Sequence, residues 1–464
     1  MKKLFNKIII AVVAAVMMIP VVTLTTACNR ADEQLSVFMW DFFLDEDIIP
    51  EFEAWFYEET GRTIEVSTHN FASNEEVLSD MRAGFRWDVM NPSDYMIQKL
   101  INDGPGGASR IQRLDQEKFA NHNVLDKFFG PDGVGDPSII AGARYFDAAQ
   151  RYAIPYLWGT FGFMYNYDSV SDYGRELFNS WEAYWNYYFN DASFYMIDSL
   201  RDAYAVAMLY VYRHHLMRYQ VNAMRYAELN DIAYYDASNP HWVGYRTLLN
   251  SLFREFNETR RQQAWHVLYD LSNRATFATG DDVMMRVWEG GDGNGAFGLQ
   301  WACNPGHLLV NPDWYPEINI GYVVPTEGTN LWIDAWVIPT TAQNPVAANM
   351  WIYFNLKQHI AEANVKFAGT PSGHTAANAA AREHFETLHA ADDILFTRHE
   401  HPDSFNHFME ILFPSDASLR RAAVMADFGD MEDDMRSMYR SVVLLGDAPS
   451  GAMPAIAWPM PALI

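Results

Sequence analysis

An aspartate inside an apolar run is the residue of this sequence that folding alone explains least well. Asp334 is preceded by Trp332 and Ile333 and followed by Ala335 and Trp336. Such a pattern predicts a buried carboxylate, and buried acids are rarely left without a partner. We therefore expect either a bound cation or a nearby arginine beside Asp334.

A second group of aromatic and acidic side chains follows two short strand patterns near the start of the chain. Trp40 and Asp41 stand at the end of the apolar stretch 35–40, and the loop 93–95, with the sequence Ser-Asp-Tyr, follows the stretch 87–90. In a parallel sheet, ligands bind beyond the carboxyl ends of the strands. Both groups are therefore predicted to lie at a binding edge.

The elements that must position these residues alternate between strand and helix in short order. A helix is predicted from about Ile48 to a stop at Gly61, then a strand over 63–68, then a second helix capped by Ser73 or Asn74. Alternation of this kind favours a parallel sheet with helices on its faces.

The remainder of the chain continues the α/β pattern. Strands are predicted over 152–156 and 160–165, joined by a turn at Trp158 and Gly159. Further strands are predicted over 296–302, 320–324 and 332–338, and helical patterns over about 202–226, within 245–272 and from 344 to about 358. The Pro- and Ala-rich tail 446–464 is predicted to be irregular.

The N-terminal segment predicts export. Three lysines, an apolar run over 8–22 and a small residue before Cys28 resemble a bacterial lipoprotein signal, in which the cysteine is acylated. We predict a signal peptide over 1–27, lipidation at Cys28 and a tether over 28–34. Thr25 stands where such signals usually carry leucine, and an ordinary cleaved signal is the alternative.

Composition narrows the class of partner. The chain has a formal net charge of −26, which argues against binding to nucleic acid and against electrostatic binding to anionic lipid. The second cysteine is Cys303, so lipidation of Cys28 would leave no intramolecular disulfide. An exported chain of this kind must rely on its core, and its length suffices for two or three domains.

Enzyme signatures are poorly represented. The sequence contains no Gly-rich phosphate loop, HExxH, GxSxG or CxxC motif, so we predict no catalytic residues and no cofactor. Two histidine pairs, His214–His215 and His399/His401, suggest metal by proximity, but without a third ligand they favour ordinary polar histidines. A secreted glycosidase is the enzyme alternative, because two carboxylates and stacked tryptophans would also suit a sugar.

Six stretches of the chain carry a resemblance to a known family. They are FMWDFFLDEDIIPEFEAWFYEETGRTIEV, DVMNPSDYMIQKL, AIPYLWGTFGFMYN, NSWEAYW, FGLQWACN and VVPTEGTNLWIDAWVIPTTAQNP, in that order. Together they resemble the spermidine/putrescine-binding proteins of ABC importers, a branch of the bilobal periplasmic binding proteins. The interval of about 212–288 is longer than this family usually has there.

The resemblance implies an α/β fold of the type II periplasmic-binding-protein architecture, with a ligand cleft between two lobes. The first lobe would take 35–152 plus 333–370, and the second 153–332 plus 371–445, including the insertion at about 212–288. The implied partners are a polyamine, the permease subunits of an ABC transporter, and the membrane through an N-terminal lipid. Receptors of the same fold for a sugar or a ferric ion are the nearer alternatives.

The family's binding residues can be carried over position by position. Most residues of the predicted site match the family motif. Asp41 and Asp94 are added as acids beside matched positions, and Ser199 as the residue that stands where a carboxylate is usual. The predicted site is Trp40, Asp41, Phe43, Ser93, Asp94, Tyr95, Ser199, Asp202, Trp301, Trp332 and Asp334. Three positions depart from the family, namely Phe42, Ser199 and Ala368. A further polar contact near the C-terminus is expected but is not placed among Asp427, Asp430 or their neighbours.

These residue types suit a polyamine, whose methylenes need apolar walls and whose ammonium groups need carboxylates or aromatic faces. Asp202 from one lobe and Asp334 from the strand that crosses between lobes would hold two amines, with Trp332 along the alkyl chain. The other tryptophans need not touch ligand. Five of them are predicted to be core residues: Trp55, Trp181, Trp185, Trp336 and Trp351.

Overall fold

The structure, a computed structural model, describes residues 31–290, 296–311, 319–391 and 404–462. The predicted signal peptide and Cys28 lie outside these residues, as do His399 and His401. Within the described ranges, every helix is too short or too polar to cross a membrane.

Ten strands are described. They are β1 (Glu33–Met39), β2 (Ile64–Asn70), β3 (Val89–Met90), β4 (Ile154–Asn166), β5 (Ser193–Ile197), β6 (Thr276–Ala278), β7 (Ala296–Trp301), β8 (Ile320–Val323), β9 (Thr329–Trp336) and β10 (Ala422–Ala423).

The α-helices lie between and after these strands. They are α1 (Ile48–Thr60), α2 (Asn74–Ala83), α3 (Asp94–Asn102), α4 (Val124–Phe129), α5 (Pro137–Ala143), α6 (Asp172–Leu177), α7 (Leu200–Asn230), α8 (Pro240–Arg254), α9 (Glu258–Ser272), α10 (Gly280–Trp288), α11 (Cys303–Val310), α12 (Pro345–Asn355), α13 (Gln358–Ala368), α14 (Thr375–Ala390), α15 (Ser404–Leu412), α16 (Asp416–Arg420) and α17 (Glu432–Tyr439). Short 3₁₀ turns cover Pro105–Gly107, Glu117–His122, Trp181–Trp185, Tyr187–Phe189 and Gly429–Met431, and a π-turn covers Arg440–Leu444.

The first sheet has the order β2-β1-β3 and is parallel, as predicted. Helix α1 ends at Gly61, which adopts φ 71° and donates its N–H to the carbonyl of Tyr57, because glycine adopts the left-handed conformation at no steric cost. Helix α2 is capped by Ser73, whose hydroxyl accepts from the N–H of Glu76. These local signals fix where the helices beside the sheet begin and end.

The second sheet is mixed, so the parallel arrangement predicted for the first elements of the chain is not repeated here. Strand β4 pairs antiparallel with β7, β8 and β9, whereas β5 pairs parallel with β6 and β7. The predicted turn at Trp158 and Gly159 is also wrong, because β4 runs through both residues as one strand of 13 residues. The ladder is irregular only between Pro155 and Leu157.

Strands β4 and β9 join the two sheets. Their ladder runs from Ile154 opposite Trp336 to Thr160 opposite Leu331. Single bridges then connect the segment of β9 to the end of the first sheet, one of them between Ser93 and Asp334. The strand that carries Asp334 therefore lies against the loop after β3.

Apolar side chains form three clusters, one around the second sheet and two around the first. The tryptophans predicted to be core residues fall into them. Trp181, Trp336 and Trp351 are fully buried, Trp185 is 9% exposed, and Trp55 packs partly buried against the first-sheet core.

The interval 212–288 forms the end of α7, helices α8 and α9, strand β6 and α10, all packed on the core of the second sheet. The tail crosses these helices as an irregular segment over 446–462, in agreement with its prediction. Its carbonyls accept hydrogen bonds from the insertion, for example from Trp265 Nε1 to Asp447 at 3.2 Å. The described part of the tail is thereby fixed to the insertion.

Candidate ligand-binding site

Asp334 lies on β9 and is 3% exposed. Its neighbour Ala335 donates its N–H to the carbonyl of Pro92 at 3.1 Å, which fixes the strand against the loop after β3. Among the described residues, Oδ1 of Asp334 accepts no hydrogen bond, and no lysine or arginine forms an ion pair with this carboxylate. The carboxylate is therefore buried with little internal compensation.

Burial raises the pKa of Asp334 well above its ordinary value, because a charge is poorly solvated in the protein interior. The charge of Asp94 raises this pKa further. The polar groups of Ser93 and Trp40 act in the opposite direction, although neither completes a hydrogen bond to Oδ1. An added positive charge would favour the ionised form of Asp334.

Asp94 begins helix α3 and is also buried. Its carboxylate accepts from the N–H of Tyr95 at 2.6 Å and from the N–H of Ile333 at 3.2 Å. Burial nevertheless raises the pKa of Asp94 to about 7 against these hydrogen bonds. Nearby Arg201 lowers that pKa and Asp202 raises it, so Asp94 of α3 interacts with two charges at the start of α7.

Asp202 stands in the first turn of α7, on the opposite side of the site, and is 6% exposed. Ser199 caps this helix by accepting from the N–H of Asp202 at 3.4 Å. The carboxylate accepts from Nε1 of Trp301 at 3.4 Å. Burial also raises the pKa of Asp202. We call the three buried aspartates of this region, Asp94, Asp202 and Asp334, the acidic cluster.

Aromatic rings line the approach to this cluster. Trp332 is 7% exposed, donates Nε1–H to the carbonyl of Thr160 at 3.1 Å, and lies nearly parallel to Phe43 with ring centroids 6.3 Å apart. Trp40 contacts Phe71 edge-on at 4.6 Å. These rings provide flat apolar walls whose faces also attract cations.

Gly159 makes room for one of these walls. A Cβ atom at this position would lie 2.5 Å from Cζ2 of Trp332. We expect Gly159→Ala to lower the thermal midpoint of unfolding, by the equivalent of roughly 1–3 kcal/mol, since an overpacked core must shift. Differential scanning fluorimetry measures this effect. Adding Trp332→Leu should recover part of the loss, and equal losses in the single and double variants would contradict the proposed clash.

Three charged residues of this region were missed by sequence reasoning. They are Asp281, Glu75 and Arg201. Burial raises the pKa of Asp281 at the start of α10, and the charge of Asp41 raises it further. Asp41 itself is exposed and accepts from Nδ2 of Asn70 at 2.8 Å. The only local signal for Asp281 was its place in a helical first turn, which many aspartates share.

Arg201 is a buried cation at the same site. Its guanidinium lies 3.6 Å from the ring centroid of Tyr95 and 4.2 Å from that of Phe428. It also pairs with Asp427 at 3.1 Å and with Glu432 at 3.5 Å. The predicted Tyr95 thus has one ring face covered by the protein's own arginine.

The same C-terminal acids reach the first sheet. Lys99 of α3 lies 3.6 Å from Asp427 and 3.5 Å from Glu432, and Arg436 lies 3.3 Å from Glu75. We call these contacts, with Arg201, the interlobe network. They hold the segment after β10 against α2 and α3.

The departures from the family pattern have distinct surroundings. Phe42 is 41% exposed, adopts φ 58°, and its ring lies 4.6 Å from that of His307. Ala368 is buried in the core of the first sheet. Neither position adds a polar group to the acidic cluster.

The arrangement as a whole joins carboxylates from both sheets with aromatic walls. Such a site can bind a solute that carries positive charges separated by apolar atoms. In the part of the chain that the structure describes, no cluster of three or more histidine, cysteine or acidic side chains could hold a metal ion.

A family model described as bacterial extracellular solute-binding protein matches residues 51–388. The chain belongs to this family. As an extracellular solute-binding protein it acts outside the cytoplasm and is not an enzyme.

Individual relatives agree with this membership. A spermidine/putrescine-binding periplasmic protein of Escherichia coli K12 is 23% identical over 351 residues, which cover 75% of this chain and 80% of that protein. The solved structure of a spermidine/putrescine substrate-binding protein, PotD of Streptococcus pneumoniae, has 21% identity and a TM-score of 0.58, covering 89% of this chain and 100% of that one.

A second solved structure, the TpPotD lipoprotein of Treponema pallidum, has 16% identity and a TM-score of 0.59, covering 89% of this solute-binding protein and 99% of that chain. The two structural matches confirm the predicted two-lobed α/β fold.

Proposed function

We propose that this solute-binding protein captures a polyamine, of the putrescine or spermidine type, for uptake by an ABC transporter. The observation that carries the proposal is Asp334, a buried carboxylate for which the described residues supply no ion pair. A buried charge without a partner destabilises the protein that contains it. A ligand ammonium would provide the missing positive charge.

The other predicted residues support a ligand with more than one charge. Asp202 lies on the second-sheet side and Asp334 on β9, with Asp94 between them. Two ammonium groups can each meet a carboxylate in this arrangement. Trp332, beside Phe43, would lie along the methylenes that separate them.

The remaining predicted residues would orient the carboxylates or attract charge at the rim of the site. Trp301 donates to Asp202 and so orients that carboxylate, and Ser199 fixes the helix start that carries it. Asp41, whose charge raises the pKa of Asp281, would attract a further charge at the rim. The Escherichia coli relative, which matches 75% of this chain, is a spermidine/putrescine-binding protein, and this supports the proposed ligand class.

Calorimetric titration of the purified protein tests the ligand class. Putrescine and spermidine should bind with a measurable heat and raise the thermal midpoint of unfolding. Maltose and ferric citrate serve as probes of the two alternative ligand classes. A response to either of these, with none to the polyamines, would overturn the proposal.

We also propose the division into lobes made from the sequence, 35–152 plus 333–370 and 153–332 plus 371–445. The separate apolar cores of the two sheets support it, with β4 and β9 as the crossing strands. The interlobe network is the contact that would form when the lobes close on ligand. Closure would then present a ligand-dependent surface to the permease.

The finer localisation is a further part of the proposal: a lipid at Cys28 would hold the protein at the membrane. We expect Cys28→Ala to move the protein from the membrane fraction to the soluble fraction, because the thioether-linked lipid can no longer form. Fractionation followed by immunoblotting measures this. Cys303→Ala is the matched control and should stay with the membrane, since Cys303 is buried in the fold. Retention of the Cys28 variant would contradict lipidation.

A further inference from the structure

A cavity of about 290 Å³ lies between α5, α8 and the segment that contains β10. Leu331 of β9 forms part of its wall. Because side chains alternate along a strand, Leu331 faces the opposite side of β9 from Trp332 and Asp334. The cavity is therefore separate from the acidic cluster, with the crossing strand between them.

Two arginines of α8 line this cavity. Arg246 donates from Nη1 to the carbonyls of Arg420 at 2.5 Å and Ala422 at 2.8 Å. Arg254 donates from Nε to the carbonyl of Val424 at 3.1 Å. These contacts hold the two side chains along the segment around β10 and aim their guanidinium groups at one space.

Neither guanidinium forms an ion pair with a carboxylate of the described residues. Arg254 instead stacks on the ring of Tyr145 at 3.2 Å. The third arginine of the cavity wall, Arg420, is paired with Asp416 at 3.4 Å and adds no net charge. The cavity thus carries two positive charges without an ion pair among the described residues, with Asp94 acting on Arg254 only at longer range, in a chain whose formal net charge is −26.

The two charges are also partly withdrawn from water. Burial lowers the pKa of Arg246 and of Arg254, and the charge of Arg254 lowers that of Arg246 further. Like charges held together in this way repel each other. In an acidic protein, pairing with local carboxylates would be the ordinary way to relieve such repulsion, and here that pairing is missing among the described residues.

We propose that this cavity binds a small multivalent oxyanion, bearing carboxylate or phosphate groups, between Arg246 and Arg254. The planar guanidinium fork matches both kinds of oxyanion. The volume equals that of several water molecules, at roughly 30 Å³ each, and so admits an anion of this size. Both arginines belong to the insertion 212–288, which thereby gains a role that is independent of the polyamine proposal.

Thermal shift and calorimetry with inorganic phosphate and citrate test the site. Both anions should raise the thermal midpoint of the purified protein more than sodium chloride does at equal ionic strength. In Arg246→Gln/Arg254→Gln the affinity should fall by more than about tenfold, since two charge-assisted contacts are lost. Arg86→Gln, at an exposed arginine of the first lobe, is the matched control and should bind as the unaltered protein does.

A second variant avoids removing contacts that the fold uses. Ser138 lies on the cavity wall and is exposed, so Ser138→Glu would place a carboxylate opposite the two arginines while their carbonyl contacts remain. This variant should fold and lose the anion effect. An unchanged anion affinity in either variant, or no stabilisation beyond that given by sodium chloride, would overturn the proposal.

Discussion

Replacing Asp334 by asparagine should make the ligand-free protein more stable and at the same time abolish polyamine binding. The side chain keeps its shape but no longer carries a carboxyl whose ionisation is disfavoured, chiefly by burial, which raises its pKa well above the ordinary value. Breaking a desolvated charge pair costs roughly 2–5 kcal/mol, so we expect affinity to fall by at least about 30-fold. Calorimetry measures the affinity, and thermal unfolding without ligand measures the stability.

The opposite signs of the two effects make the result specific. Asp147 provides a matched control, because its buried carboxylate accepts from the backbone N–H groups of Arg151, Tyr152 and Ala153, and none of these residues belongs to the predicted site. Asp147→Asn should leave the polyamine affinity unchanged. An Asp334→Asn protein that binds polyamines normally would show that the site has been misplaced.

The acidic cluster should also make binding strongly dependent on pH. The pKa of Asp94 is raised from 3.8 to about 7, and burial raises the pKa of Asp202 and Asp334 as well. A polycation binds the ionised cluster, so protons must leave as it binds. We expect affinity to fall between pH 8 and pH 5, by about tenfold per pH unit for each proton displaced.

The stability of the ligand-free protein should change in the other direction. A carboxyl whose pKa is raised on folding stabilises the fold below the pKa of the unfolded chain, and this contribution is lost as pH rises through the folded value. For Asp94 the loss falls between about pH 4 and pH 7. Thermal unfolding from pH 5 to pH 8, with and without spermidine, measures both trends.

Calorimetry in buffers of different ionisation enthalpy counts the protons released. Asp94→Asn is the informative variant, since an asparagine oxygen can still accept from the N–H groups of Tyr95 and Ile333. It should release fewer protons on binding. Affinity that is constant across this pH range would contradict the role of the cluster.

The first sheet was predictable because its signals are local. Gly61 ends one helix and Ser73 starts the next, and both effects depend only on residues within a few positions. The prediction of a turn at Trp158 and Gly159 was wrong because the role of this glycine depends on a residue that is distant in sequence. That glycine accommodates the ring of Trp332, which lies far away in sequence.

The residues of the candidate site also differ in whether local sequence could predict them. Asp334 was found because its apolar neighbours already predicted burial, and the structure places it at 3% exposure. Arg201 and Asp281 were missed because each looks like an ordinary charge in a helical first turn. Their importance arises only when helices from distant parts of the chain meet.

The pairing of β4 with β9 has a consequence for how the protein is made. The two strands can pair only after β5, β6, β7 and β8 have been synthesised, and β10 adds to β9 later still. Contacts between residues so distant in sequence slow folding, because a long loop must close before they form. We therefore expect the newly made chain to stay unfolded for longer than a protein of local contacts would. Such a delay suits a polypeptide that must be threaded through a narrow channel before it takes its final shape.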